Sequence, residues 1–197
     1  MFDIIRADLG RKRRAYIVRA MDQTWFNRNI KIFLQQGSIA VAIFRFGQWI
    51  QRLRIPVLKQ ILFVVYYVLN LGVIVFLGIN IQLSANIGRG FIIHNYSGIF
   101  LGRITLGENC IVNQGVTVGN IRGEPGRPVL GNNVYIGVSA VVLGNVKIGN
   151  NVVIGANSLV ITNVPDNCTV VGVPARIVSR RPTSPYLKYG NEPAEKV

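Results

Sequence analysis

His94 is the single histidine in 197 residues, and Cys110 and Cys168 are the only two thiols. Imidazole is the side chain best matched to taking and returning a proton near neutral pH, so His94 is the first candidate for general-base chemistry. Two isolated cysteines exclude a disulfide framework and a four-thiolate zinc site, no metal is expected, and a reducing, cytosolic setting is the default. The remaining ionic chemistry is basic: 22 Lys and Arg against 8 Asp and Glu give +14. Such a surplus suits nucleic acid, an anionic membrane surface or a polyphosphorylated small molecule, and its place along the chain separates them. Residues 1–60 hold twelve cations and three anions, a net of +9, against +2 for residues 61–130 and +3 for 131–197. No nucleic-acid module or RNP-like aromatic motif accompanies the surplus, so nucleic acid is not expected as a partner.

Half of the residues are hydrophobic, which excludes a disordered basic tail and suits one or two compact domains. From Ile81 onward an aliphatic residue recurs every six. The longest run is Leu130, Ile136, Val142, Ile148, Ile154 and Val160, with Gly131, Gly137, Gly149 and Gly155 one place later. Ile81, Ile87, Ile93 and Ile99 form an earlier run, and Leu106, Val112 and Val118 a middle one. Period six is neither helix nor simple strand alternation. It predicts a parallel β-helix in which each hexad makes one side of a coil and its aliphatic residue points inward. Small residues four places on (Ala85, Cys110, Val134, Ala140, Val146, Val152, Ser158) fill the corners, which gives Cys110 a packing role. Asn132-Asn133, Asn150-Asn151 and Gly144-Asn145 suit turns that need positive φ. Two places break the period: the interval from Ile99 to Leu106 is seven, and Glu124 takes an aliphatic position inside Gly119 to Pro128. That stretch reads as a loop ejected from a rigid coil, where binding and chemistry concentrate.

Residues 1–20 mix arginines with apolar residues and carry no cleavage pattern, so they are not a signal peptide. Helical spacing from Trp25 to Leu53, broken at Gly37-Ser38, predicts two amphipathic helices. Ile61 to Ile79 runs nineteen residues without a charge, long enough to be a candidate membrane span. The domains are therefore 1–79, helical, basic and apolar; 80–180, the β-helix with its ejected loop at 119–129; and 181–197, a tail without repeat.

Four stretches, IGRG at 87–90, QGVTVGN at 114–120, IGANSLV at 154–160 and VPDNCTVVGVPARIV at 164–178, resemble the left-handed β-helix acyltransferases of the hexapeptide-repeat superfamily. AIFRFGQWI at 42–50 is similar to the helical region of the serine acetyltransferase-like branch. The resemblance implies acetyl-CoA as donor, a homotrimer with sites between subunits, and direct transfer with a His base and backbone N–H groups holding the oxyanion. His94 stands in IIHNYSGIF, where the family places its base, with Asn95 and Tyr96 beside it for the acceptor. Backbone at Gly119, Asn120, Gly137, Val138, Ser139, Gly155, Ala156 and Asn157 matches the donor groove, and Lys147, Arg176, Arg180 and Arg181 are candidates for the CoA phosphates.

Departures from the serine acetyltransferase pattern bear on the acceptor. A second His before a Pro becomes Arg127, a candidate acceptor contact; a carboxylate paired with the base becomes Asn80, whose carbonyl can fix the imidazole tautomer; a further His becomes Gln82. Ile93 precedes the base in place of Asp, and the interval from Ile87 to His94 is one residue shorter than the family's, so a different gap placement puts Asn95 at the base position. With the acidic side chains that would recognise serine missing, and with GINIQ at 78–82 similar to the colanic acid acetyltransferases, the expected acceptor is a sugar hydroxyl of an exopolysaccharide or capsule, or a lipid-linked saccharide precursor. A serine O-acetyltransferase of cysteine biosynthesis and a non-catalytic membrane-associated scaffold are the alternatives. A cytosolic substrate fixes the side of the β-helix, and one crossing by 61–79 would then place +9 outside, against the positive-inside tendency. The expectation is a cytoplasmic homotrimer, with trimers paired or single, whose apolar segment docks on protein or lies peripherally on the anionic cytosolic face of the inner membrane.

Overall fold

Hexads fold into short parallel strands because an inward aliphatic residue can bury itself only by stacking on its equivalents in neighbouring coils. The computed structural model describes residues 2–17, 34–121 and 125–180. Its strands form three sheets around one triangular coil. Sheet A contains β1 (Ile79–Ile81), β4 (Ile99–Leu101), β7 (Thr117–Gly119), β10 (Val141–Leu143) and β13 (Leu159–Val160). Sheet B contains β2 (Asn86–Ile87), β5 (Thr105–Leu106), β8 (Val129–Leu130) and β11 (Lys147–Ile148). Sheet C contains β3 (Ile92–Ile93), β6 (Ile111–Val112), β9 (Tyr135–Ile136), β12 (Val153–Ile154), β14 (Thr169–Gly172) and β15 (Ala175–Ser179), the last pair antiparallel. This is the expected left-handed β-helix architecture of hexapeptide repeats, with a helical region before it.

Register corrects one detail of the repeat. Ile81 pairs with Leu101, and Leu101 with Val118, so Leu101 and not Ile99 is the repeat position of the second coil on sheet A, although both point inward. The extra length therefore lies before Leu101, in the corner that opens with His94. The corner residues Ala85, Cys110, Val134, Ala140, Val146, Val152 and Ser158 are all buried, and Asn133, Asn151 and Gly144 have the positive φ that their turns require. Asn132 and Asn150 extend the turns into a ladder: Asn132 accepts from the Glu108 N–H at 2.7 Å and Asn150 from the Asn132 N–H at 2.8 Å.

The glycine that follows many aliphatic positions has a steric cause. A Cβ on Gly107 would lie 2.6 Å from the carbonyl group of Gly131 in the next coil. Gly107→Ala must push two backbones apart, and it should lower stability by about 1–3 kcal/mol in a denaturant titration. A midpoint unchanged from wild type would show that the coils are not closed this tightly.

The helical layer comprises α1 (Phe2–Ile17), α2 (Gln36–Gln51) and α3 (Pro56–Gly72), the last running on through a wider π-type turn at Val73–Leu77. The break before α2 falls at Gln35, two residues earlier than expected, and Gly37-Ser38 form the first turn of α2. A Cβ on Gly37 would meet the Ile93 carbonyl oxygen at 2.7 Å, so the residue is glycine to let α2 sit on β3. Residues 18–33, which carry most of the other expected amphipathic helix, lie outside the described residues, as do Glu124, Arg181 and the tail 182–197. Asp8 of α1 and Arg45 of α2 form a buried ion pair at 3.0 Å, and Arg45 also donates to the carbonyls of Ile87 and Gly88, each at 2.6 Å. α3 packs on α2 through Tyr66, whose ring fills the space opposite Gly47, but turns most of its apolar residues outward.

Candidate active site in the widened corner

The corner between sheets C and A recurs in every coil, at His94–Gly98, Asn113–Val116, Gly137–Ala140 and Gly155–Ser158. Backbone hydrogen bonds stack these corners: Gly115 N–H on the Ser97 carbonyl (3.0 Å), Ser139 N–H on that of Gln114 (2.9 Å), Asn157 N–H on that of Val138 (2.8 Å). The first corner is the long one. From inward Ile93 to inward Leu101 is eight residues, against six from Val112 to Val118. The extra length carries Asn95, Tyr96, Ser97 and Gly98 out to solvent, with Ser97 at φ 85° and Gly98 at 67°. His94 remains half-buried, its backbone N–H held by the Val112 carbonyl at 2.9 Å. The Asn95 amide donates to Gln114 Oε1 at 2.8 Å, which ties the exposed corner to the coil above.

Beside this corner opens a cleft of about 160 Å³ lined by His94, Asn95 and Tyr96 with Lys12, Gln35 and Gln36 from the helical layer. Lys12 is only 4% exposed, and its ammonium donates to Ser38 Oγ at 3.0 Å and to the Ile93 carbonyl at 3.2 Å. Burial lowers its pKa from 10.5 to about 8, because the charged form has lost water. Sequence reasoning missed Lys12, which reads as one more charge in the Arg11–Arg14 run. Its one signal is the i, i+3, i+4 alignment with Asp8 and Arg11, a polar stripe on the face of α1 that turns inward.

The structure brings some of the expected site residues together and keeps others apart. His94, Asn95 and Tyr96 share the cleft, and Gly137, Val138, Ser139, Gly155 and Ala156 continue along the same edge of the prism. Asn80 lies in β1 of sheet A, outside the cleft lining. Gly119, Asn120 and Arg127 belong to the next corner, between sheets A and B, so within one chain Arg127 stands on a different edge from His94. Lys147 is exposed at the start of β11 on sheet B; Arg176 on β15 and Arg180 just beyond it are exposed at the sheet C end. Cys110 is fully buried with its thiol pushed up to about 11 by desolvation, which suits packing and not nucleophilic work. Among the described residues no group of three or more His, Cys, Asp or Glu is placed to hold a metal.

Comparison with known proteins gives these features a family. Residues 127–162 match the model for bacterial transferase hexapeptide repeats. A serine acetyltransferase of Synechococcus elongatus is 37% identical over 147 residues, 73% of this chain and 57% of that protein. The structure of Neisseria gonorrhoeae serine acetyltransferase in complex with serine is 30% identical with a TM-score of 0.71, covering 90% of this chain and 68% of that one. Brucella abortus serine acetyltransferase in complex with coenzyme A is 26% identical, with a TM-score of 0.74, over 91% of this chain and 68% of that one. The chain thus spans little more than half the length of the Synechococcus protein. These relatives overturn the sugar acceptor and the link to exopolysaccharide enzymes expected from GINIQ. In the structure that motif is structural: Gly78 takes φ 62°, Ile79 and Ile81 point inward, and its outward Asn80 and Gln82 lie outside the cleft lining. The chain belongs to the hexapeptide-repeat transferase family, on its serine acetyltransferase-like branch.

Proposed function

We propose that this protein is an acetyl-CoA-dependent O-acetyltransferase whose acceptor is serine. The observation that supports this most is the kinship with serine acetyltransferases, which extends over 73% of this chain in the Synechococcus protein. His94, at the rim of the widened corner, takes the proton from the serine hydroxyl as its oxygen attacks the thioester carbonyl. The carbon–sulfur bond breaks, and the imidazolium returns the proton to the departing thiolate. Ser139, Ala156 and Asn157 leave the same edge exposed, and their corners offer backbone groups for the donor. The other half of the groove, with Gly119, Asn120 and Arg127, comes from a neighbouring copy in a homotrimer, which explains why one chain separates it from His94. Lys147, Arg176 and Arg180 are the cations for the CoA phosphates. The test is thiol release from acetyl-CoA on adding L-serine, with the O-acetylated product identified by mass spectrometry. Release that a panel of hydroxyl acceptors fails to stimulate would overturn the reading.

The protein works from the cytosolic face of an anionic membrane. α3 and its π-type extension form 22 residues of apolar helix, about 33 Å at helical rise, in which only Tyr66 and Val73 are buried. Val64, Tyr67, Val68, Val75 and Phe76 are each at least 63% exposed. Arg52, Arg54 and Lys59 cluster at its N-terminal end, where lipid phosphates would meet them. Held along α2, which itself packs on β1 and β3, α3 lies in the plane of the interface and does not cross it. Flotation with anionic vesicles is expected to carry the protein and to weaken as salt rises, with little flotation on neutral vesicles. No flotation, together with a doubled mass in light scattering, would give the face to a second copy.

A further inference from the structure

Lys12 is a cation built into the wall of the cleft, and among the described residues no carboxylate pairs with it: Asp8, one turn earlier on α1, is taken up by Arg45. The ammonium has three donors; its partners, Ser38 Oγ and the Ile93 carbonyl, are neutral and use two of them. Among the described residues the cleft lining, with Gln35, Gln36, Asn95 and Tyr96, contains no carboxylate. A buried charge held only by neutral acceptors is costly, and it is usually kept where an opposite charge arrives. Burial has lowered its pKa only to about 8, so it is still mainly ammonium at neutral pH. The surrounding fold keeps it in place: α1 is anchored through Asp8 one turn earlier, whose carboxylate takes the Phe91 N–H at 2.9 Å as well as Arg45.

We infer that Lys12 is a carboxylate-binding site within the His94 cleft, selecting acceptors that carry an acid group close to the hydroxyl to be acylated. The inference rests on the proposed acyl transfer for its biological meaning, but the site itself rests on the geometry of Lys12. The Ile93 carbonyl that accepts from Lys12 is part of the peptide bond to His94, so ammonium and imidazole flank the same short stretch of backbone. A small β-hydroxy acid spans the two: its carboxylate meets Lys12 while its hydroxyl turns to His94. Thus a cation on the helical layer does the recognition for which the corner itself offers no charged group except the imidazole.

The experiment compares wild type with Lys12→Met on paired acceptors, L-serine and L-serinamide, which differ by the carboxylate. K12M should lower kcat/KM for serine at least tenfold more than for serinamide, the loss expected for one charge-assisted hydrogen bond. An equal loss on both acceptors would show a merely structural lysine and overturn the site. If wild type acetylates neither, the functional reading fails separately, and binding decides for Lys12. Calorimetric titration with serine or glycerate should give affinity that serinamide and glycerol lack and that K12M abolishes. Equal binding of acid and amide, or acid binding that survives in K12M, would overturn the inference. K12M should melt no lower than wild type at pH 7, since it removes a buried charge. That difference should close as pH rises from about 8 to 10.5, because wild-type Lys12 discharges in the folded state first.

Discussion

His94→Ala is expected to lower kcat for acetyl transfer by about 10²- to 10⁴-fold while leaving the fold intact. The reason is that the imidazole is the only group of its kind in the chain, and in the proposed reaction it carries the proton in both directions. Its neighbours cannot replace it: Asn95 and Gln36 do not titrate, and the Lys12 ammonium has no lone pair to accept a proton until it discharges near pH 8. The β-helix is expected to hold because the His94 backbone N–H that bonds the Val112 carbonyl is kept in alanine. Asn95→Ala separates base from neighbour. It loses the hydrogen bond that the Asn95 amide donates to Gln114 Oε1, so it should loosen the corner and raise KM while costing far less in kcat. Thiol release at saturating acetyl-CoA measures both. If the alanine variant of His94 kept more than a tenth of wild-type kcat, the base would have to be sought elsewhere; collapse of N95A alone would locate the reaction one residue further on.

How much of this was legible in the sequence depends on how local each feature is. The β-helix was legible because every hexad repeats the same local requirement, an inward aliphatic residue and a small corner residue, and the copies reinforce one another. The widened corner was harder to place. Ile99 is as buried as the true repeat residue Leu101, at 2% and 0% exposed, so spacing alone could not choose between them. Only the pairing of Ile81 with Leu101 does so. Lys12 was illegible because its partners, Ser38 and Ile93, lie 26 and 81 residues away. The acceptor was misread for a related reason: absent acids at the familiar corner positions were taken as absent recognition, while a cation arrives from α1. Apolar composition identified α3, whereas its outward orientation belongs to the packing of α2 and could not be read from spacing.

Asp8→Ala should be the most damaging substitution in the helical layer, costing about 3–5 kcal/mol in a denaturant titration. Asp8 is 4% exposed and Arg45 3%, so neither charge has water to fall back on. Removing the carboxylate leaves the guanidinium buried with the carbonyls of Ile87 and Gly88 and the Gln48 amide oxygen, all neutral. It also orphans the Phe91 N–H at the first corner between sheets B and C. Much of the loss is the cost of stranding these partners, not the net worth of the pair, since burying two charges is itself expensive. A double variant, Asp8→Leu with Arg45→Met, should therefore lose much less than the sum of its single members and can recover most of the stability. Function should not follow stability back. The ion pair sets where α1 rests on the β-helix, and Lys12 is one turn further along that helix. The double variant should fold yet keep a raised KM for serine, because Lys12 is no longer held at the Ile93 carbonyl. Additive losses in the single and double variants would mean that Asp8 and Arg45 act independently, and an unchanged KM would mean that Lys12 is positioned by Ser38 and Ile93 alone.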